Sequence, residues 1–312
     1  MLVNRRAFTM GGVALAAASA CPAFAQKSYP TRPVEFVVPW GAGGGSDQTA
    51  RKLAAILEPR LGVSIPIVNL PGGTGSSGLN KMLTAPADGY TLCLLAADTV
   101  GLLAMTKPKW SLGDLSPIAL LTQQHSALFL RADGPLKSWD DIDAESRKRD
   151  LKVAVSGLGT PEEAAVNFFK RRGNRFNAVP FQKPGERYSA LLGGHVDVLF
   201  EQTGDVRSFI DGGQIKTALI LAVETDPNFP SVPVSKAVGV DFVLDQYRGV
   251  VVKGGTDPEI VKVLTERVKD ACASPEYAAY LKELWAAPDS YRAPADAMAF
   301  METDLARLRA VL

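Results

Sequence analysis

Histidine is nearly missing from this chain, with 2 among 312 residues, and cysteine is scarce, with 3. Ligands so few and so widely spaced leave no recognisable metal site, and none is expected. Charge of one sign is also lacking: 34 basic residues face 33 acidic ones, for a net charge of +1. A near-neutral chain offers no basic groove for nucleic acid and no polybasic patch for a membrane, so neither is an expected partner. Catalytic signatures are missing as well, with no G-x-S-x-G elbow and no H-E-x-x-H pair. His125 and His195 stand alone and read as exposed or structurally satisfied side chains rather than bases. Cys93 and Cys272 either pair or remain two buried thiols. No cofactor is expected, and the chain does not read as an enzyme.

What is present begins with a leader. Residues 1–25 carry Arg5 and Arg6, a short apolar stretch over 11–20, and Ala23-Phe24-Ala25 ahead of Gln26. A basic start, a short apolar middle and an A-x-A site make a cleavable signal peptide, too weakly apolar to anchor in a bilayer. Asn4-Arg5-Arg6-Ala7-Phe8 also resembles a twin-arginine signal, which leaves two export routes open. Ala18-Ser19-Ala20-Cys21 faintly suggests a lipoprotein site but lacks the usual leucine. The mature protein is expected to begin at Gln26 and to be soluble in the periplasm.

From Val34 onward short apolar runs alternate with amphipathic ones. Residues 34–38, 65–68 and 91–97 read as strands, and the pattern resumes at 153–155, 178–181, 196–200 and 217–223. Between the first of these, Ala50, Leu53, Ile56 and Leu57 share one helical face, and Leu79, Met82 and Leu83 another. Such alternation predicts an α/β fold with a largely parallel sheet. Thr160, Pro161 and Glu163 form a capping box at the start of a helix over 161–172. From Asp257 the pattern is helical only, restarting near Pro275 and Pro294, as expected of helices that cover the first lobe. The chain then crosses between lobes twice, near 118–130 and 247–252, which assigns 26–122 and 250–312 to lobe 1 and 123–249 to lobe 2. A cleft between two lobes is where a ligand is expected.

Two glycine-rich loops open from the ends of the first two strands. "PWGAGGGSD" runs from Pro39 to Asp47, and "NLPGGTGSSG" from Asn69 to Gly78. Backbone N–H groups and a helix dipole at such places favour an anion, and glycine lets it approach. The plainer reading is a pair of tight turns. Asp47 falls in a first helical turn, where it either serves free N–H groups or faces a ligand. Gly73 to Gly78 also satisfies G-x-G-x-x-G, with Asp98 beyond the next strand, so an exported oxidoreductase holding a dinucleotide is the alternative function.

The ordered set of Tyr29-Pro30-Thr31-Arg32-Pro33-Val34, both glycine loops, Ala87-Asp88-Gly89-Tyr90-Thr91-Leu92, Ser156-Gly157-Leu158-Gly159-Thr160 and Leu192-Gly193-Gly194-His195-Val196-Asp197-Val198 resembles one family. Val179-Pro180-Phe181 and the return segment from Gly249 to Pro258 extend the likeness over nearly the whole mature chain. It resembles the solute receptors of tripartite tricarboxylate transporters, often called Bug receptors. That resemblance implies a two-lobed, type II-like periplasmic binding protein that closes on an organic acid and delivers it to a membrane permease or a sensor, acting as a monomer. It implies ligand contacts from Trp40, Gly41, Ala42, Gly43, Gly44, Ser46 and Asp47, and from Gly73, Thr74, Gly75 and Ser76. Ala97, Asp98 and Thr99 follow the third strand, and lobe 2 would add Ser156, Gly159, Thr160, Phe181, Lys183 and Glu201. Gln182-Lys183 stands where the family usually has Lys-Gly, Trp40 where Phe is common, and Gly41 where Ala is. The bound acid's identity is not given by these residues.

Overall fold

Several of these apolar runs have no polar side at all, and strands of that kind need cover on both faces. A computed structural model describes residues 29–311 and shows where the cover comes from. The leader expected over 1–25, and Cys21 within it, lie outside the described residues. Along the chain, β1 (Glu35–Val38) leads to α1 (Gly45–Leu61), β2 (Ile67–Asn69) to α2 (Ser76–Thr84) and β3 (Thr91–Ala96) to α3 (Ala97–Met105). A long strand, β4 (Leu115–Arg131), carries the chain away. It is followed by α4 (Trp139–Ser146), β5 (Leu151–Val155), α5 (Pro161–Arg171), β6 (Phe176–Pro180) and α6 (Pro184–Leu192). Next come β7 (Val198–Gln202), α7 (Arg207–Asp211) and β8 (Ile215–Ile220). The returning strand β9 (Asp245–Lys253) ends in α8 (Pro258–Cys272), α9 (Pro275–Glu283) and α10 (Pro294–Val311).

The result is a two-lobed α/β protein. Its strands run in the order β2-β1-β3-β9-β4-β7-β5-β6, with β8 also on β4. β4 belongs to both lobes, pairing with β9 from Leu115 to His125 and with β7 and β8 beyond Ser126. β1 pairs parallel with β2 and β3, and β5 with β6 and β7, but β4 and β9 are antiparallel to every neighbour. The sheet is therefore mixed rather than largely parallel. A chain that goes out on one strand and returns on the adjacent one has no other choice. It rejoins the first lobe's sheet at Asp245, a few residues ahead of the boundary drawn at 249/250.

Side chains alternate between two covered faces. Phe36 and Val38 meet Leu53, Leu57 and Leu264, while Val37 between them meets Leu79, Met82 and Met301 on the opposite face. Lobe 2 repeats the scheme, with Val153 and Val155 against Trp139 and Phe169, and Ala154 against Tyr188 and Leu191. Each large apolar side chain so buried contributes about 1.5–3 kcal/mol. The closing helices pack on the first lobe, α8 and α9 on one face and α10 on the other. Thr160 caps α5 by accepting from Glu163 N at 3.1 Å, while the Glu163 carboxylate takes Gly159 N at 2.7 Å rather than the cap residue's own N–H. Cys93, buried in β3, and Cys272, at the end of α8, are both free thiols. Among the described residues no helix is long and apolar enough to cross a membrane.

Where β4 leaves the first lobe, His125 Nδ1 meets Asp245 Oδ1 of β9 at 2.7 Å. The hydrogen bond to Asp245 raises the imidazole's affinity for its proton, burial opposes this, and Asp226 nearby adds to the rise. A raised folded-state value means stability that is present below the ordinary histidine range and lost as pH climbs above about 6.5. The pair is partly exposed, so its size should stay below about 1 kcal/mol. Urea titrations of wild type and His125→Asn should therefore converge as pH rises from acid to alkaline. A constant gap across that range would deny the pair any charged character.

Candidate functional site

Open α/β sheets bind ligands beyond the carboxyl ends of their strands, and here two lobes set those ends face to face. Trp40 follows β1, Asp98 follows β3, Ser156 follows β5, Gln182 follows β6 and Asp205 follows β7; all line one narrow cavity of ≈ 30 Å³. A space of that order holds little more than water. Anything larger needs a wider gap between the lobes than this one.

The first glycine loop forms the lobe 1 wall. Gly43 has a φ of +83° with nothing within 4 Å of the place a Cβ would take, so the turn alone asks for glycine there. Gly44 differs. Its φ of −84° suits any residue, but a Cβ would lie 2.5 Å from Pro184 Cγ of lobe 2. A Cβ on Gly45 would strike the Asp205 carboxylate and the Arg248 guanidinium, and one on Gly41 would come within 3.3 Å of Pro184. These positions stay small because the other lobe closes against them.

Asp47 is spent inside the loop. Its carboxylate accepts from Gly43 N, Arg51 Nε and Asn69 Nδ2, each at 2.9 Å, which ties the first loop to the end of β2. Burial would raise its pKa, but these donors outweigh burial and hold it below the usual carboxylate value. In the second loop, Thr74 Oγ1 donates to Leu158 O at 2.9 Å, a lobe-to-lobe bond. Gly75 lies against Thr99 and Gly78 against Pro39, so the G-x-G-x-x-G run is already packed where a pyrophosphate would have to approach.

The cavity's chemistry is dominated by buried charge. Arg187 of α6 pairs with Glu201 of β7, which also accepts from Tyr188 Oη at 2.9 Å. Arg248 of β9 pairs with Asp205 and donates to Gln124 Oε1 at 2.5 Å and Gln202 Oε1 at 3.3 Å. Among the described residues Asp98 and Glu162 have no ion-pair partner of their own, although Arg187 acts on both and Arg248 on Asp98 from a distance. Asp98 accepts from Gln246 Nε2 at 2.8 Å, and Glu162 from Ser156 N at 2.5 Å. Burial pushes Asp98 up to about 6 against that hydrogen bond, and burial followed by the Asp98 charge raises Glu162 well above its usual value. Polar atoms without partners face the same space: Trp40 Nε1, Ser156 Oγ, Gln202 Nε2, Asp205 Oδ1, and Nε of both arginines.

Of the residues singled out from sequence, Trp40, Gly44, Ser46, Asp98, Ser156 and Glu201 line the cavity. Gly41 abuts Pro184, and Ala97 N donates to Gln246 Oε1 at 2.9 Å just behind Asp98. Ala42 and Gly43 are exposed; Gly73, Gly75, Ser76 and Thr99 belong to the second loop and its support. Gly159 and Thr160 are occupied in capping α5. Phe181 packs against lobe 2's core, its carbonyl accepting from Arg187 Nη1 at 3.2 Å. Lys183 is a correction: its ammonium turns outward to Glu186 Oε1 at 3.1 Å and adds no cation to the cleft. The sequence reading missed Glu162, Arg187, Asp205, Gln246 and Arg248. Only the last pair left a signal, glutamine and arginine at alternate positions of β9 just ahead of its apolar residues 250–252.

The profile described as "Tripartite tricarboxylate transporter family receptor" matches residues 49–312. The chain belongs to this family. BugT of Bordetella pertussis is 30% identical to this receptor over 84% of the chain and 83% of BugT. A protein of the gbd 5' region in Cupriavidus necator is 31% identical, covering 88% and 87%. MatC of Rhodopseudomonas palustris, solved with bound malate, superposes with a TM-score of 0.83 at 29% identity, over 91% of this receptor and 99% of MatC. A second R. palustris protein, solved with adipate, gives 0.83 at 26% identity, covering 91% and 97%. The periplasmic binding protein BugD shares the fold, with a TM-score of 0.84 at 24% identity over 91% and 97%. A larger groove of ≈ 400 Å³ lies in this receptor between α10 and the segment ahead of β9, but its Asp304 and Arg307 already pair at 2.7 Å.

Two substitutions separate turn chemistry from lobe closure. Gly43→Val forces a β-branched residue into left-handed backbone and should cost about 1–2 kcal/mol in urea unfolding. Gly44→Val should leave unfolding nearly unchanged but hold the lobes apart, enlarging the radius of gyration in solution scattering. A wild-type radius for folded Gly44→Val would remove Pro184 from any role in closure. Asp47→Ala should lower stability by about 0.5–2 kcal/mol, as loss of a carboxylate at a helix N-terminus does.

Proposed function

We propose that this protein is a periplasmic solute receptor that closes its two lobes over a small organic acid. It then presents the acid to the membrane subunits of a tripartite tricarboxylate-type transporter, or to a sensor. The observation that carries the reading is the convergence of buried, unpartnered donors on one inter-lobe cavity: Trp40 Nε1, Gln202 Nε2 and Nε of Arg187 and Arg248. A buried donor left unmade costs about 1–3 kcal/mol. A ligand carboxylate accepts from several at once, and charge-assisted bonds in a desolvated space are strong ones. Malate in MatC and adipate in its R. palustris counterpart support the same ligand class.

On this reading residues 26–122 and 250–312 act as one lobe and 123–249 as the other, and the receptor works as a monomer. Asp47, Thr74 and Gly44 serve by shaping and latching the closed form, whereas Trp40, Ser46, Asp98 and Ser156 face the ligand. Binding without turnover is the expected behaviour. A ligand at a hundred times its dissociation constant should stabilise the fold by about 2.7 kcal/mol. A thermal-shift panel of organic acids, with NMR showing the bound acid recovered unchanged, tests this. If NAD shifts the melting temperature and no acid does so at millimolar concentration, the receptor reading fails and the dinucleotide alternative replaces it.

A further inference from the structure

The cleft is more acidic than a clamp for carboxylates alone calls for. Four carboxyl groups, Asp98, Glu162, Glu201 and Asp205, share it with two guanidinium groups, Arg187 and Arg248. Each arginine is already paired, with Glu201 and Asp205 respectively. Asp98 and Glu162 are left over, 5% and 2% exposed, with only neutral donors bonded to them. An unpaired buried carboxylate is costly, and burial accordingly drives both groups towards the neutral acid.

Their placement gives the excess a purpose. Asp98 lies in the first turn of α3 and Glu162 in the first turn of α5, one helix from each lobe. The two helices meet across the cleft, where a Cβ on Gly101 would lie 2.6 Å from Pro161 Cδ. Closing the lobes therefore brings two carboxyl groups together in a desolvated space, where ionising both is opposed until something positive sits between them. Independent of the carboxyls, the same cavity has buried polar atoms with no protein partner: Ser156 Oγ, Trp40 Nε1 and Asp205 Oδ1, on residues 4%, 7% and 8% exposed. This orphan set contains an acceptor as well as donors. A dicarboxylate brings no cation to Asp98 or Glu162 and no N–H to Asp205 Oδ1.

We propose that the ligand is a zwitterionic acid, its cationic nitrogen held between Asp98 of lobe 1 and Glu162 of lobe 2 and its carboxylate held by Trp40, Ser156 and the arginines. The proposal rests on the reading of the cleft as the receptor's solute site and narrows that site's substrate class. The nitrogen is a primary or secondary ammonium or an amidinium, since each carboxylate needs an N–H to accept from. In this arrangement the ligand's cation lets both carboxyl groups stay ionised in the closed cleft, so charge selection and closure are one event.

Matched probes test it by isothermal calorimetry: straight-chain monocarboxylates of two to eight carbons, each beside its terminal amino, 2-amino and terminal carboxy derivatives. In wild type the tightest amino derivative should bind at least tenfold more tightly than the carboxy derivative of the same length. Asp98→Asn and Glu162→Gln keep the hydrogen-bonding shape and remove one charge each. Both should weaken the amino probe at least tenfold while dicarboxylate affinity holds or improves. Lys183→Ala, at the exposed ion pair with Glu186, should change neither. Tighter binding of dicarboxylates than of amino acids by wild type, or an unchanged preference in both folded charge variants, overturns the zwitterion proposal and leaves the receptor intact. Heat of binding from no acid of any kind overturns the receptor reading itself.

Discussion

One guanidinium stands where everything in this molecule meets. Arg248 lies on the returning strand β9, takes Gln124 of the outgoing strand β4, and reaches Gln202 and Asp205 of lobe 2. It is buried to 3% exposure, and a charge that deep persists only while its partners stay in place. The root of the cleft is thereby fixed by an ion pair between the returning strand β9 and the loop after β7. Gly45, Trp40 and Asp98 are arranged around that pair rather than around a flexible linker. The cleft's rim, unlike its floor, holds no such buried ion pair.

The latches at the rim are weaker and neutral. A hydroxyl-to-carbonyl bond from Thr74 to Leu158 and van der Waals contact of Gly44 with Pro184 hold the wall shut. Neutral bonds of this kind contribute about 0.5–1.5 kcal/mol each. Interactions of that size can be made and broken at every cycle of capture and release. A rim built of buried ion pairs would tend to lock one state. Strength at the floor and weakness at the rim is a division suited to a receptor that has to let go of its ligand.

How much of this was legible in the sequence depends on the range of each interaction. The strands 34–38, 91–97 and 153–155 were readable because two-sided burial writes a nearly continuous apolar run, broken only by Glu35 and Thr91 near strand starts. The glycine loops were readable because tight backbone approach leaves no substitute for glycine, although their neighbour is as much the other lobe as any ligand. β4 read only as a crossing, since Thr122, Gln123, Gln124, His125 and Ser126 interrupt its apolar pattern where the sheet passes from one lobe to the other. The buried ion pairs were not legible. Arg248 finds Asp205 across 43 residues, and the alternation of glutamine and arginine in β9 says nothing of that partner. Lys183 misled for the opposite reason, since its partner Glu186 lies three residues on and draws it to the surface.

The position of β9 also sets an order of assembly. It fills the gap between β3 and β4, in the middle of the first lobe's sheet, yet it comes from residues 245–253. Lobe 2 is threaded entirely between the two halves of lobe 1, so its strands can pair before the central strand of lobe 1 exists. Until then β3 presents an apolar edge with unpaired backbone, the kind of edge that recruits other chains. Domains usually form from the N-terminal end as the chain is made; here the N-terminal lobe must be completed last. Contacts of such long sequence separation are slow to close. The half of the molecule that emerges first is therefore the half most exposed to misassociation while the chain is being finished.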